Sequence, residues 1–280
     1  MDFLDLDKVG KWTEAKLEII EKYAKAYGII MKPRKRFHAI YIDAFASYGE
    51  HISKDTERII EGSPQKALKT GIFEEYYFIE LAPEKVKHLQ DVVNRDFLEL
   101  KEKVHIMNQD CNEILPKILS GIKYEEFKRA LCLFDPYGLH LNWSVVELAG
   151  KMKTVEVFIN FPLMDTNRNV LWRNPEGVSK SNIKRMNSFW GDDSWQKIAY
   201  SKQNDLFGNE EQIKRVRAKE LGRVYYLRRL KNIARFKYVP EPVLMRSSKN
   251  GPLYYLFFAS HNKTGSKIAN DIFKKYRQGK

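Results

Sequence analysis

The segment Phe134-Asp-Pro-Tyr-Gly138 sets an acid, a rigid imino ring, an aromatic ring and a glycine in succession. Asp135 can accept one N–H of an amine and the carbonyl of Pro136 a second, with the proline fixing the backbone between them. Tyr137 offers a face on which a planar ring stacks. The chemistry is one of orientation, because an amine held this way aims its lone pair at an electrophile with little acid–base work. Asp-Pro-Tyr-Gly is also good β-turn sequence in any loop. Its position in the fold separates the two readings.

Three more acids follow short apolar runs. Asp43 ends the run Tyr41-Ile-Asp43, and Phe45, Ala46 and Gly49 come after it. Small residues there let backbone N–H groups approach the polar tail of a cofactor, although Gly49 is the sole true glycine of the loop. Glu80 closes Phe78-Ile-Glu80, about 35 residues on, where a carboxylate suits both hydroxyls of a ribose; it reads equally as a helix-capping Glu before Pro83. Asp110 follows a third run, placed either to accept from an adenine amino group or to cap the next helix. The three acids come in the order a bound nucleoside needs them.

The elements that must position these groups alternate. Residues 11–27 carry Trp12, Ile19, Ile20, Tyr23 and Tyr27 on one helical stripe, ending near Gly28. Apolar runs at 38–45, 76–80, 104–107, 130–135 and 155–161 read as buried parallel strands, with helices at about 63–71, 83–99, 111–120 and 142–152 between them. Residues 163–235 break the alternation and read as helical and basic. Two further strands, 239–246 and 253–260, flank an Asn250-Gly251 hairpin signal, and a helix over about 264–276 follows. Five parallel strands and a C-terminal antiparallel hairpin predict an α/β fold with a class I methyltransferase-like Rossmann sheet. Its core is expected over 1–162 and 236–280, with 163–235 a helical basic insertion between strands five and six.

The charge is unevenly placed. Of the formal net +13, residues 32–36 carry +4 and residues 212–238 carry +9, which is the whole excess. Concentrated positive charge attracts a phosphate backbone, and it is equally the pattern of a solvated helix face. Two cysteines, Cys111 and Cys132, make neither a disulfide framework nor a cysteine-ligated zinc site, and the six histidines lack metal-ligand spacing. No apolar run approaches the ~20 residues of a membrane span, and the acidic start lacks the apolar stretch of a secretory signal. A cytoplasmic protein of a reducing compartment, with no metal and no membrane partner, is the expectation.

Several of these residues are familiar together. Trp12 and Lys16, Tyr41-Ile-Asp-Ala-Phe-Ala-Ser-Tyr-Gly49, Gly62-Ser-Pro64, Phe78-Ile-Glu80, Leu133-Phe-Asp-Pro-Tyr-Gly138 with Trp143, Asp165-Thr-Asn167-Arg168 and the closing Ala259-Ser-His261-Asn-x-x-Gly265-x-x-Ile268 resemble the three-Cys-motif partner family, over about residues 10–276. The resemblance implies a methyltransferase-like Rossmann domain, often encoded beside a protein with a three-cysteine motif. Carried over by position, it puts Asp43 and Gly49 at the cofactor loop, Glu80 at the ribose, Asp110 at the adenine and Asp135, Pro136 and Tyr137 at the reacting centre. That family's loop usually reads close to Asp-x-Phe-Ala-Gly-Pro-Gly. Here Ser47 and Tyr48 replace Gly-Pro, which sets a ring beside the methionine end of S-adenosylmethionine.

The leading expectation is an S-adenosylmethionine-dependent methyltransferase acting on a nucleobase amino group in DNA or RNA, the base being flipped out or already single-stranded. Lys32, Arg34 and Arg36, with Arg215, Arg217, Arg228, Arg229 and Lys231, are expected to hold the phosphates. The alternative is a catalytically inactive methyltransferase fold that binds nucleic acid as the partner of a three-cysteine-motif protein. A small-molecule or protein methyltransferase is the third reading, and it leaves the basic insertion unused.

Overall fold

The computed structural model describes residues 6–31, 33, 36–204 and 210–277. Its central sheet is built from β1 (His38–Asp43), β2 (Glu75–Glu80), β3 (Val104–Asn108), β4 (Lys128–Phe134), β5 (Val155–Phe161), β6 (Val243–Arg246) and β7 (Pro252–Ala259). Their spatial order is β6-β7-β5-β4-β1-β2-β3. The first five run parallel, whereas β7 pairs antiparallel with β5 and β6 antiparallel with β7. This is the class I methyltransferase-like Rossmann sheet, with its switch point between β1 and β4.

The strands are apolar in both directions because both faces are covered. Every residue of β5 is buried. Tyr41, Phe78, Leu131, Leu133, Phe158 and Phe258 face helices α1 (Lys11–Met31), α3 (Pro83–Asp96) and α11 (Lys263–Arg277). Their neighbours Ile40, Ile42, Cys132, Phe134, Val157 and Ile159 face the other way, against α4 (Cys111–Ser120) and α5 (Trp143–Lys151). α2 (Ser63–Leu68) packs on α1 and β1.

Residues 163–235 share that second core. They contain α6 (Leu163–Asn169), α7 (Lys180–Trp190), α8 (Ser194–Ala199) and α9 (Ala218–Glu220), which runs through a π-helical turn, Leu221–Tyr226, into α10 (Leu227–Asn232). Tyr226 is fully buried, with ring centroids 4.9 Å from Phe161, 5.5 Å from Phe189 and 5.5 Å from Phe257. The segment also forms an antiparallel hairpin, Tyr200–Asn204 with Glu210–Lys214, where the sequence reads as helix. Its strands are short and polar, so no apolar alternation announces them. The same holds for a small sheet of Lys8–Val9, Glu50–Ser53 and Ile59–Glu61.

Gly28 does not end α1, which continues to Met31. A Cβ there would collide with Ile72, so this glycine serves a close approach and not a stop signal. Among the described residues, no helix is long and apolar enough to cross a membrane.

The closing motif has a structural role at the amino end of the sheet. Glu156 lies in β5 and accepts from Tyr23 of α1 and, at 3.2 Å, from Ser260 Oγ; burial pushes its carboxyl above the usual range. A Cβ on Gly265 would come within 2.6 Å of the Tyr23 hydroxyl and 2.8 Å of Glu156 Oε1, so α11 can seat only as glycine there. Gly265→Ala is expected to cost about 1–3 kcal/mol in thermal or urea unfolding. Combined with Tyr23→Phe, the loss should be less than additive, because the hydroxyl is part of the clash; strict additivity would refute this packing.

Candidate active site

The carboxyl ends of β1, β2, β4 and β5 meet at the switch point, where open α/β sheets bind ligands. The loop after β1 is tied to its neighbours: Ala44 N donates to Leu133 O at 3.0 Å, Ala46 N to Ile79 O at 2.9 Å and Ser47 N to Glu80 Oε2 at 3.0 Å. Ser47 and Gly49 have positive φ, +54° and +76°. Gly49 and Gly62 approach each other through a 2.6 Å Gly62 N to Gly49 O bond, leaving no room for a Cβ at position 62. Tyr48 is buried against α3, its ring 5.6 Å edge-on from His88 with the Lys85 ammonium 4.9 Å above it. The ring expected beside the cofactor's methionine end is thus absorbed by a helix.

Glu80 and Asp110 both serve the backbone. Besides Ser47 N, Glu80 accepts from Ala82 N at 2.9 Å, just ahead of α3. Asp110 caps α4, its Oδ1 accepting from Asn112 N at 2.8 Å and Asn112 Nδ2 at 3.0 Å. Glu80 is only half-buried, and each of its oxygens keeps a second lone pair for a ligand.

Asp135 sits at the centre of the site. Lys16 of α1 forms an ion pair with its Oδ2, and Asn160 of β5 donates to its Oδ1. The sheet register explains the meeting: Asp43 lies opposite Leu133 and Phe134 opposite Ile159, so Asp43, Asp135 and Asn160 end three adjacent strands. Burial pushes the fully enclosed Asp43 carboxyl up to about 7, against bonds from Ser63 and from Phe45 N that favour its charged form. Burial lowers His51 to about 4, and the nearby Lys16 ammonium adds to the fall. Asp43 Oδ2, His51 Nδ1 and Asn160 Oδ1 are buried without a hydrogen-bond partner. Such orphans are expensive, and two of the three are acceptors suited to an ammonium or amide donor.

Tyr137 is 93% exposed beside this cluster. Gly138 follows it at φ +74°, and Asp165 pins the turn by accepting from Leu139 N at 3.0 Å while Arg185 holds Asp165 at 3.0 Å. A Cβ at 138 would meet Asp165 Oδ2 at 2.7 Å. Asp165-Thr-Asn-Arg is therefore the brace of the Asp-Pro-Tyr-Gly turn. Lys16, Asn160 and His51 complete the cluster. Lys16 stands 119 residues from Asp135, and no local pattern links the two.

The basic candidates do not make one surface. Lys32 and Arg34 lie outside the described residues. Arg36 stacks on Phe127 at 4.2 Å, near the amino end of β1 and away from the site. Arg215 and Arg217 are exposed on the segment between the hairpin and α9, where Arg215 N donates to Ala199 O at 2.8 Å. Arg228 and Lys231 are exposed on α10, where the chain beyond it, at Ala234, packs against Gly150 at the far end of α5. Arg229 is corrected outright: its guanidinium lies between Trp143 (4.8 Å) and Trp190 (5.1 Å), pairs with Asp192 at 3.1 Å, and its side chain is 12% exposed. An amphipathic helix distributes its charges around its axis, so a basic run in sequence is not a basic face.

The sequence matches no protein-family model and no curated protein. Among solved structures, protein LPL1258 from Legionella pneumophila (family model DUF519) aligns with TM-score 0.52 and 13% identity, covering 94% of this chain and 93% of that one. The methyltransferase domain of bacterial CtHen1 aligns at TM-score 0.42 and 10% identity, over 86% and 99%. An S-adenosylmethionine-dependent methyltransferase from Clostridium acetobutylicum aligns at 0.39 and 8%, over 85% and 91%. The Legionella likeness is one of fold, and the other two superpose too loosely to carry an argument.

Asp43 makes a pH prediction. Its folded pKa lies above the ~3.9 of an unfolded Asp, so its neutral form stabilises the fold at low pH and that contribution is lost as pH rises through about 7. Asp43→Asn keeps the neutral shape. Between pH 5 and 8 the wild-type melting temperature should fall by a few degrees relative to Asp43→Asn, and taking the difference removes the opposite contribution of His51. Curves that stay parallel would contradict a buried, proton-holding Asp43.

Proposed function

We propose that the chain is an S-adenosylmethionine-dependent methyltransferase acting on a nucleobase amino group in DNA or RNA. The observation that carries this is Asp135, held by Lys16 and Asn160 at the end of β4, two residues before the almost fully exposed Tyr137. When bound, the cofactor supplies a methyl group on a sulfonium sulfur. Glu80 would accept from the ribose hydroxyls, Asp110 from the adenine, and the unpartnered Asp43 and Asn160 oxygens from the methionine end. Tyr137 stacks on the flipped base. Asp135 and the Pro136 carbonyl each accept one N–H, which directs the nitrogen lone pair away from the ring and toward the cofactor side. The proton lost after transfer is one already directed at Asp135. Lys16 is a positioning residue, since it fixes the carboxylate and balances its charge.

A second reading has its own observation. Both Asp135 oxygens are engaged, and Glu80 and Asp110 each hold backbone N–H groups, which is what a scaffold without turnover also needs. The resemblance to the three-Cys-motif partner family supports that version, a nucleic-acid-binding partner of a three-cysteine-motif protein. A cytoplasmic location suits either reading.

Titration calorimetry with S-adenosylmethionine and S-adenosylhomocysteine separates them. Micromolar binding, weakened about tenfold by Glu80→Ala, is expected. Asp135→Ala should keep that affinity and lower methyl transfer to nucleic acid at least 100-fold, the scale of lost positioning. A folded protein that binds neither ligand ends the methyltransferase reading and favours the partner subunit.

A further inference from the structure

One aromatic ring near the site has no place in the scheme above. Trp143, Trp190 and Trp195 are 3%, 0% and 2% exposed, whereas Trp172 is 42% exposed. It is nonetheless held firmly. Its indole N–H donates to Arg168 O at 2.6 Å, its carbonyl accepts from the Tyr200 hydroxyl at 2.9 Å, and Gly177 backs its ring. A pinned ring with an open surface is already ordered, so stacking a ligand on it loses little entropy.

Trp172 belongs to the brace of the Tyr137 turn. Asp165 bonds Leu139 N, and Arg168, whose carbonyl holds the indole, lies one turn further along α6, roughly 5 Å at 1.5 Å per residue. Met164, 41% exposed, adjoins Asp165. Asp165 and Arg168 thus tie the Tyr137 turn and the Trp172 ring to the same short helix. The surround carries more cations than acids, although Glu176 is exposed there too. Arg168, Arg173, Lys180 and Lys184 are exposed, and none of the four has an ion-pair partner among the described residues, while Asp165 is taken by Arg185.

We propose that Trp172 is a second stacking platform, which takes another base of the strand whose target base lies on Tyr137, and that the substrate enters as an unpaired nucleic-acid strand. The proposal rests on the nucleobase reading of the Asp135–Tyr137 site. Bases within a duplex have both faces covered by their neighbours, so two separate protein rings can be used together only by an unstacked strand. The cations alongside would follow its phosphates.

The test is a fluorescence titration with a short single-stranded DNA, the RNA of the same sequence and the matching duplex. Single strands should quench tryptophan emission in the wild type and protect it from acrylamide, with little quenching left in Trp172→Phe. Trp172→Phe should bind within a few-fold of wild type. Trp172→Ala should bind roughly 5- to 100-fold more weakly, the range of one stacked base, with an unchanged salt slope because phosphate contacts remain. The duplex should bind at least tenfold more weakly than either strand. Equal binding of strand and duplex, or quenching that persists in Trp172→Phe, overturns the platform and leaves the nucleobase reading standing. A folded protein that binds no oligonucleotide, yet still binds S-adenosylmethionine in the calorimeter, brings down both. Trp172→Phe keeps a ring in place, and the loss of the protected emission in that variant keeps the platform testable even where Trp172→Ala fails to fold.

Discussion

The ion pair between Lys16 and Asp135 is the constraint around which the site is organised. It joins the first helix to the end of the fourth strand, and Asn160 brings in the fifth. The two charged side chains are only 10% and 21% exposed, so their attraction is screened less than at an open surface, and neither would be tolerated there alone. The pair is possible because α1 buries Ile19, Ile20 and Tyr23 against the sheet, which carries Lys16 over the strand ends. The packing of one face of the sheet thus sets the electrostatics at its end.

The other carboxylates serve the scaffold at the strand ends. Glu80 staples the β1 loop to β2, and Asp110 begins α4. Each job needs a carboxylate at the end of a strand, which is also where a nucleoside needs one. Asp43 differs, since it is buried deeply enough to hold a proton near neutrality, with one oxygen unsatisfied. A site with several orphaned polar atoms has stored unfavourable energy that a matching ligand can relieve.

The excess positive charge also looks different in three dimensions. The chain concentrates it in two segments, yet the fold sends parts of them to opposite ends of the sheet and buries the Arg229 guanidinium between two indoles. Other cations, from Arg168 to Lys184, flank the braced turn that carries Tyr137 and adjoin Trp172.

Alternation of apolar runs with helical stretches, and the Asn-Gly turn near the end, were enough to place the strands and to predict a Rossmann sheet with an antiparallel hairpin. Those features are local or periodic, and burial on both faces writes them directly into residue order. Asp43, Glu80, Asp110 and Asp135 were visible for the same reason, because each ends a readable strand. The small sheet around Glu50–Ser53 and the hairpin at Tyr200–Asn204 were not legible, being too short and polar to alternate. Lys16 with Asp135, Tyr48 turned into α3, Asp165 beneath Gly138 and Arg229 between tryptophans were settled by tertiary structure alone. Sequence determines which face of an element is apolar. Which polar groups then meet across that packing depends on distances between elements far apart in the chain, and residue order does not carry those distances.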